Sequence, residues 1–177
     1  HWPDPLVPVD EAARVLRELR DEGLIRAIGV SNFSPSQMDT FRRAAPLATC
    51  QPPYNLFERH AEDGVLPYCL QEDIGLLTYG ALCRGLLSGT MSKDRSFDGD
   101  DLRQTDPKFQ EPLFDQYLTA VDRLDQFAQE HYGRRVIHLA VRWILDQGVN
   151  VALWGAREPA QLDPVDGIDD WSLTDED

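Results

Sequence analysis

The sequence predicts an α/β protein built on a parallel sheet, and three observations predict it. Segments of strand character alternate with segments of helical period along the chain, the order of successive βα units. The run Ile25-Arg26-Ala27-Ile28-Gly29-Val30 is nearly all apolar, as in a strand covered on both faces within a parallel sheet. It turns polar at Ser31-Asn32, where α/β folds hold their ligands, and a helix start follows at once. Four complete strands are too few to close a barrel, which takes about eight. The residues therefore predict either an open, complete sheet or half of a barrel.

Taken in order, His1-Trp2-Pro3-Asp4-Pro5 opens without Met and reads as the middle of a longer chain. A helix follows with Asp10 as N-cap and a stripe of Ala12, Val15, Leu16 and Leu19, stopped by Gly23. The strand from Ile25 leads to Ser34-Pro35-Ser36-Gln37, with Ser34 as N-cap and Pro35 at the first position of a helix to about Ala44. Leu47–Gln51 is the second strand, closed by Pro52-Pro53, and a helix runs from near Asp63 to Glu72. Ile74–Tyr79 is the third strand. The stretch from Gly80 to about Pro112 is too long for an ordinary connection and predicts a functional loop. Helices over Leu113–Tyr132 (stripe Tyr117, Val121, Leu124, Ala128) and Val136–Gln147 (stripe Ile137, Ala140, Val141, Ile144) precede a fourth strand, Val149–Trp154. A short helical segment interrupted by Pro164 comes last.

With 177 residues, 42% of them hydrophobic and 27% charged, one globular domain is expected. The net charge of −14 excludes a general nucleic-acid or anionic-membrane binder, which needs a basic face. It leaves room for an anionic cofactor held by a local cluster of donors. Cys50, Cys69 and Cys83 form neither a metal pattern nor a disulfide framework and are expected to be free thiols in the cytoplasm. No apolar run approaches the roughly 20 residues that span a bilayer. His60, His131 and His138 lie on predicted helices or their ends without ligand spacing, and are expected to be structural or exposed. The acidic groups at 98–101 and 175–177 are expected to be solvated, and no metal site is predicted.

Five groups of residues carry a resemblance. His1-Trp2-Pro3-Asp4, Gly29-Val30-Ser31-Asn32-Phe33-Ser34, Gln51 with Tyr54-Asn55, Tyr79 with Arg84-Gly85-Leu86-Leu87-Ser88-Gly89, and Gly155-Ala156-Arg157 with Gln161 resemble, in order and spacing, the aldo-keto reductases. That family folds as a (β/α)8 TIM-type barrel about twice this length. The resemblance implies that residues 1–177 are the C-terminal half of such a barrel, from the end of strand 4 through strand 8, stopping shortly before the last helix.

The resemblance further implies reversible hydride transfer between NADPH/NADP+ and a small-molecule carbonyl, reducing aldehydes or ketones to alcohols. The family's tyrosine proton donor, lysine and aspartate would lie upstream, and only its carbonyl-orienting histidine has a match, at His1. Ser31, Asn32 and Gln51 match the side chains that bind the nicotinamide carboxamide, and Tyr79 the ring that stacks on it. Gly80, Ala81, Leu82, Cys83 and Arg84 match the loop at the pyrophosphate, and Gly155, Arg157 and Gln161 the segment at the adenosine 2′-phosphate, favouring NADPH. Thr90, Pro164 and Val165 depart from the pattern, standing where relatives carry a basic residue, an acidic residue and an asparagine. The residues by themselves would then form mainly a cofactor-binding half, inactive in isolation. The alternative is a non-catalytic NADPH-binding auxiliary or sensor subunit of the same fold.

Overall fold

A computed structural model describes residues 1–174 and 176. Asp175 and Asp177 of the acidic tail, expected to be solvated, lie outside the described residues. Five α-helices and four strands follow one another as α1 (Val9–Asp21), β1 (Gly29–Ser31), α2 (Pro35–Ala44), β2 (Thr49–Gln51), α3 (Val65–Gln71), β3 (Gly75–Thr78), α4 (Leu113–Tyr132), α5 (Val136–Asp146) and β4 (Val151–Ala152). The chain divides into two compact units, one of His1–Tyr79 with Gln147–Leu153, the other of Gly80–Asp146 with the described residues from Trp154 onward.

The first unit holds the sheet. Its strands are all parallel in the order β1-β2-β3-β4, with Val30 opposite Cys50, Cys50 opposite Leu76, and Thr78 opposite Ala152. Chain order and sheet order coincide, so the described sheet lacks the reversal that marks a doubly wound sheet. Each predicted strand is present but shorter than its apolar run. Pro52 and Pro53 have no N–H, so beyond Gln51 the ladder continues only where Pro52 accepts from Tyr79 N (3.0 Å) and Tyr54 N donates to Tyr79 O (3.1 Å). At β4 the side chain of Asn150 takes the place of a backbone carbonyl, accepting from Leu76 N at 2.8 Å.

The expectation that the first strand is covered on both faces is corrected. Ile28 and Val30 are buried while Ala27 and Gly29 are exposed, so only one face carries the core. Gly29 is required by its neighbour across the ladder, since a Cβ there would lie 2.3 Å from Thr49 Oγ1. The core behind the sheet joins Val30, Cys50 and Leu76 to Ala13, Met38, Phe41, Leu66 and Cys69, each buried side chain being worth about 1.5–3 kcal/mol for the larger aliphatics and aromatics. Cys50 and Cys69 are free and fully buried, as is Cys83. The Cys69 contact and burial push the Cys50 thiol far above its ordinary range, so it is protonated and inert.

The helix predictions fare unevenly. The N-terminus of α2 is as read: Ser34 Oγ accepts from Gln37 N (3.3 Å) while Gln37 Oε1 accepts from Ser34 N (2.9 Å), with Pro35 at the first position. In α1 the inward face is rotated. Ala13 is buried and Leu16 and Leu19 are partly covered, whereas Ala12 and Val15 face solvent. The helix also begins one residue before Asp10, which pairs with Arg14 instead of capping. The helix expected from Asp63 is broken at Gly64, with a 3-10 turn over His60–Asp63 before α3.

The second unit is helical. Val136, Ile137, Ala140, Val141 and Ile144 of α5 are buried, in keeping with the predicted stripe, whereas in α4 Val121 and Ala128 are buried with the unpredicted Phe114 while Tyr117 and Leu124 are only partly covered. The stretch expected as a long loop carries 3-10 turns at Cys83–Ser88, Leu102–Gln104 and Pro107–Phe109, the last two capped by Asp101 and Asp106. Among the described residues no helix is long and apolar enough to cross a membrane. Ser34→Ala removes one half of the α2 cap and is expected to cost about 1 kcal/mol. It should lower the urea midpoint without changing the slope of the transition.

Candidate functional site

In the first unit the parallel register sets the ends of β1, β2 and β3 along one edge, and four of the predicted residues meet there. Tyr79 OH donates to Asn32 Oδ1 (2.9 Å), Asn32 Nδ2 donates to Ser31 Oγ (3.0 Å), and Ser31 Oγ donates to the Gln51 carbonyl (2.9 Å). Asn32 N donates to the same carbonyl at 3.3 Å. Asn32 sits in the left-handed region (φ +61°), which an Asn tolerates better than most residues and which turns the chain from β1 toward the Ser34 cap. The relay fixes the amide of Asn32 in one orientation. It leaves the second Nδ2 hydrogen and the second lone pair of Oδ1 for another group, so the side chain can both donate and accept. Ser31 is buried, whereas Asn32, Gln51 and Tyr79 are partly exposed. His1 is exposed, with its ring edge-on to Trp2 at 6.2 Å, and among the described residues it makes no hydrogen bond to the relay.

In the second unit, Gly80–Arg84 forms a tight loop. Cys83 N donates to Gly80 O and Gly85 N to Leu82 O, and Cys83, Arg84 and Gly85 are consecutive residues with positive φ. Ala81 and Cys83 are buried while Leu82 is partly and Arg84 largely exposed. Among the described residues the amides of Ala81 and Leu82 donate to no protein acceptor, which leaves two donors at the start of the loop. Arg84 Nε lies 3.2 Å from Asp106 Oδ2, and Lys108 Nζ lies 3.1 Å from the other oxygen of that nearly buried carboxylate. Arg103 stacks over Phe97 (4.4 Å) and holds Asp101 at 2.5 Å. The Arg103 guanidinium, with a smaller contribution from Arg157, keeps the Asp101 carboxyl well below the usual carboxylate range.

Gly155, Arg157 and Gln161 are exposed. The Gln161 side chain is already engaged, its Oε1 accepting from Arg157 N (2.7 Å) and Glu158 N (3.4 Å) and so closing the start of the 3-10 segment Pro159–Gly167. Among the described residues no group of three or more His, Cys, Asp or Glu is arranged to hold a metal ion.

The whole of residues 1–177 matches the aldo/keto reductase family. The chain belongs to that family. It is 62% identical over its full length to aldo-keto reductase YhdN of Bacillus subtilis, covering 54% of that protein. It is 32% identical to the NADH-specific methylglyoxal reductase of Escherichia coli, covering 92% of this chain and 50% of that one. Among solved structures it superimposes on glycerol dehydrogenase AKR11B4 from Gluconobacter oxydans with a TM-score of 0.94 at 56% identity, over 99% of this chain and 54% of that one. The thermostable aldo-keto reductase Tm1743, at 23% identity and a TM-score of 0.74, shares the fold. The chain thus spans about half the length of the aldo-keto reductases it matches.

Within this aldo/keto reductase chain the structure brings Ser31, Asn32, Gln51 and Tyr79 into one network and Gly80–Arg84 into one loop. It does not join His1 to either by a hydrogen bond among the described residues. Sequence reasoning missed Asp101, Arg103 and Asp106, the charges around Arg84. The Asp106-Pro107 step was the available signal, since Asp before Pro marks a capped turn start. Because Asn32 is held at positive φ, Asn32→Gly is expected to be more stable than Asn32→Ala by about 1 kcal/mol, the reverse of their order in an ordinary strand. Urea unfolding of the two variants checks it.

Proposed function

We propose that these residues are the carboxyl-terminal half of a (β/α)8 aldo-keto reductase that reduces small aldehydes or ketones to alcohols with NADPH in the cytoplasm. The observation that carries the reading is the relay from Tyr79 through Asn32 and Ser31 to the Gln51 carbonyl at the strand ends. Such a relay suits a carboxamide, which needs a donor and an acceptor in fixed positions. The orphan amides of Ala81 and Leu82 suit phosphate oxygens in the same way. When bound, the nicotinamide supplies or accepts the hydride.

The roles of the chain's own residues follow from their chemistry. Asn32, oriented by Tyr79 and Ser31, holds the carboxamide together with the Gln51 side chain, which decides the face of the ring presented to substrate. Tyr79 offers its partly exposed ring as a flat apolar platform. Asp106 restrains Arg84 beside the pyrophosphate loop, and Lys108 offsets the Asp106 charge so that Arg84 stays available to an anion. Arg157 binds the 2′-phosphate, with its backbone held by Gln161. Neutral His1 donates an N–H to the substrate carbonyl oxygen, stabilising the negative charge that develops there. Tyrosine, lysine and aspartate from the upstream half move the proton, so residues 1–177 alone transfer no hydride.

Thermal unfolding with NADPH, NADH or inorganic phosphate tests the reading. NADPH at a hundredfold excess over Kd is expected to stabilise the chain by about 2.7 kcal/mol, with NADH effective only at higher concentration and phosphate weak. A transition that neither nucleotide moves would remove the cofactor assignment. Arg157→Ala is expected to weaken NADPH binding about tenfold or more through loss of a charge-assisted contact, leaving NADH unchanged.

A further inference from the structure

The segment carrying Arg157 and Gln161 touches the rest of its unit at few points. Of Pro159–Gly167, Pro164 and Gly167 alone are partly covered, and both meet one side chain, His138 in the first turn of α5. Nδ1 of His138 accepts from Arg135 N at 3.1 Å, so the ring is neutral with its proton on Nε2. That nitrogen faces the segment, on the side where the Pro164 carbonyl favours its protonated form. Gly167 lies so close that a Cβ would sit 2.6 Å from Nε2 and 2.8 Å from Cδ2. The far side of the same residue is held too, because Trp171 Nε1 donates to Gly167 O (3.1 Å) and the Trp171 ring packs on Tyr132 at 4.8 Å.

From this pin the connection to Arg157 is continuous: the 3-10 turns run back to Gln161, and the Gln161 side chain clamps the backbone of Arg157 and Glu158. We propose that His138 is the positioning residue for this segment, its neutral ring fixing where Arg157 stands and thereby setting the preference for NADPH over NADH, which fades when the ring is protonated. The inference rests on the reading of Arg157 as the 2′-phosphate ligand. Protonation puts a hydrogen on Nδ1 against the Arg135 N–H, and the new charge would face Arg134 and Arg135 in the turn before α5. Asp163 and Asp166, beside the contact in sequence, are exposed, Asp125 is engaged by Val136 N at the start of α5, and among the described residues no ion pair joins a carboxylate to the ring. Burial, then Arg135 and Arg134, lower the His138 pKa, against the Pro164 carbonyl, which raises it. A lowered folded-state pKa means the pin is complete at and above the ordinary imidazole value near 6.5 and is lost only as the pH falls through the lower folded-state value.

Hydrogen exchange of the ligand-free protein at pH about 7.5 and about 4.5, above the ordinary imidazole value and well below it, reads the pin itself. After correction for intrinsic rates, amides in 155–167 are expected to exchange about tenfold faster at the lower pH in the wild type, with no such step in His138→Gln, and to be fast at both in His138→Ala. Kd values for NADPH and NADH read the consequence. His138→Ala is expected to lower the NADPH preference about fivefold or more with NADH affinity unchanged, and His138→Gln to retain it. Because the 2′-phosphate titrates near pH 6, the pH step that counts is the one His138→Gln removes. Equal weakening of both nucleotides, or wild-type exchange in 155–167 that is the same at both pH values, overturns the proposal. If Arg157→Ala leaves the NADPH preference intact, the reading of Arg157 fails and the proposal with it. If Arg157→Ala abolishes the preference and His138→Ala does not, the proposal alone falls. Gly167→Ala, which forces the ring and segment apart while leaving the sequence of α5 unchanged, should reproduce His138→Ala.

Discussion

The left-handed backbone of Asn32 is the constraint on which the polar edge of the sheet depends. An extended residue there would carry the chain onward in the strand direction and point the Asn32 side chain away from Ser31 and Tyr79. At φ +61° the chain turns instead, and the Asn32 amide is aimed between Ser31 and Tyr79. The parallel register supplies the rest. Ser31 stands opposite Gln51, so its hydroxyl reaches the carbonyl that Asn32 N also uses, and the Pro53–Tyr79 bridge brings the tyrosine level with them. A slip of one residue in any of these strands would send the corresponding side chain to the opposite face.

A different device serves the second unit. A chain with a net charge of −14 must create positive character locally if it is to hold phosphates. It does so by tying cations down with carboxylates that are themselves fixed: Asp106 caps a 3-10 turn while pairing with Arg84 and Lys108, and Asp101 caps another while holding Arg103. Each pair costs less in side-chain entropy because the turn has already placed the carboxylate. Exposed pairs such as Lys93–Asp115 have no such support and contribute little.

What was legible in the sequence was whatever depends on neighbours close in the chain. The Ser34-Pro35-x-Gln37 cap, the stripe of α5, half of that of α4 and the presence of each strand follow from local chemistry, and the structure agrees. Strand length did not follow, because it is set by which residues of the next strand lie alongside, and by Pro52, Pro53 and Asn150 interrupting the backbone ladder. The inward face of α1 was misread by about one residue, since Ala12 and Ala13 are equally apolar and only tertiary packing chooses between them. Among the proposed site residues, Ser31 and Asn32 were marked by the strand end where they fall, and Gln51, Tyr79 and the loop at Gly80–Arg84 by family resemblance alone. The Arg84–Asp106 pair and the contact of His138 with Gly167 join residues distant in sequence, and single-sequence reasoning has no signal for those.

The shortness of β4 has a bearing on how this protein is made. Val151 and Ala152 pair with Leu77 and Thr78, yet most of the intervening stretch, Gly80–Asp146, belongs to the other unit. Bringing those four residues together closes a very long loop for a ladder two residues long, a poor exchange of chain entropy for hydrogen bonds. β1, β2 and β3 with their helices are contiguous and face no such penalty. The order of assembly is therefore written into the topology: the first three strands condense early, α4 and α5 form by local contacts, and the last strand is laid down only when both are in place. A ribosome releasing this chain would hold β3 with one flank bare until the whole of Gly80–Asp146 and then β4 had emerged.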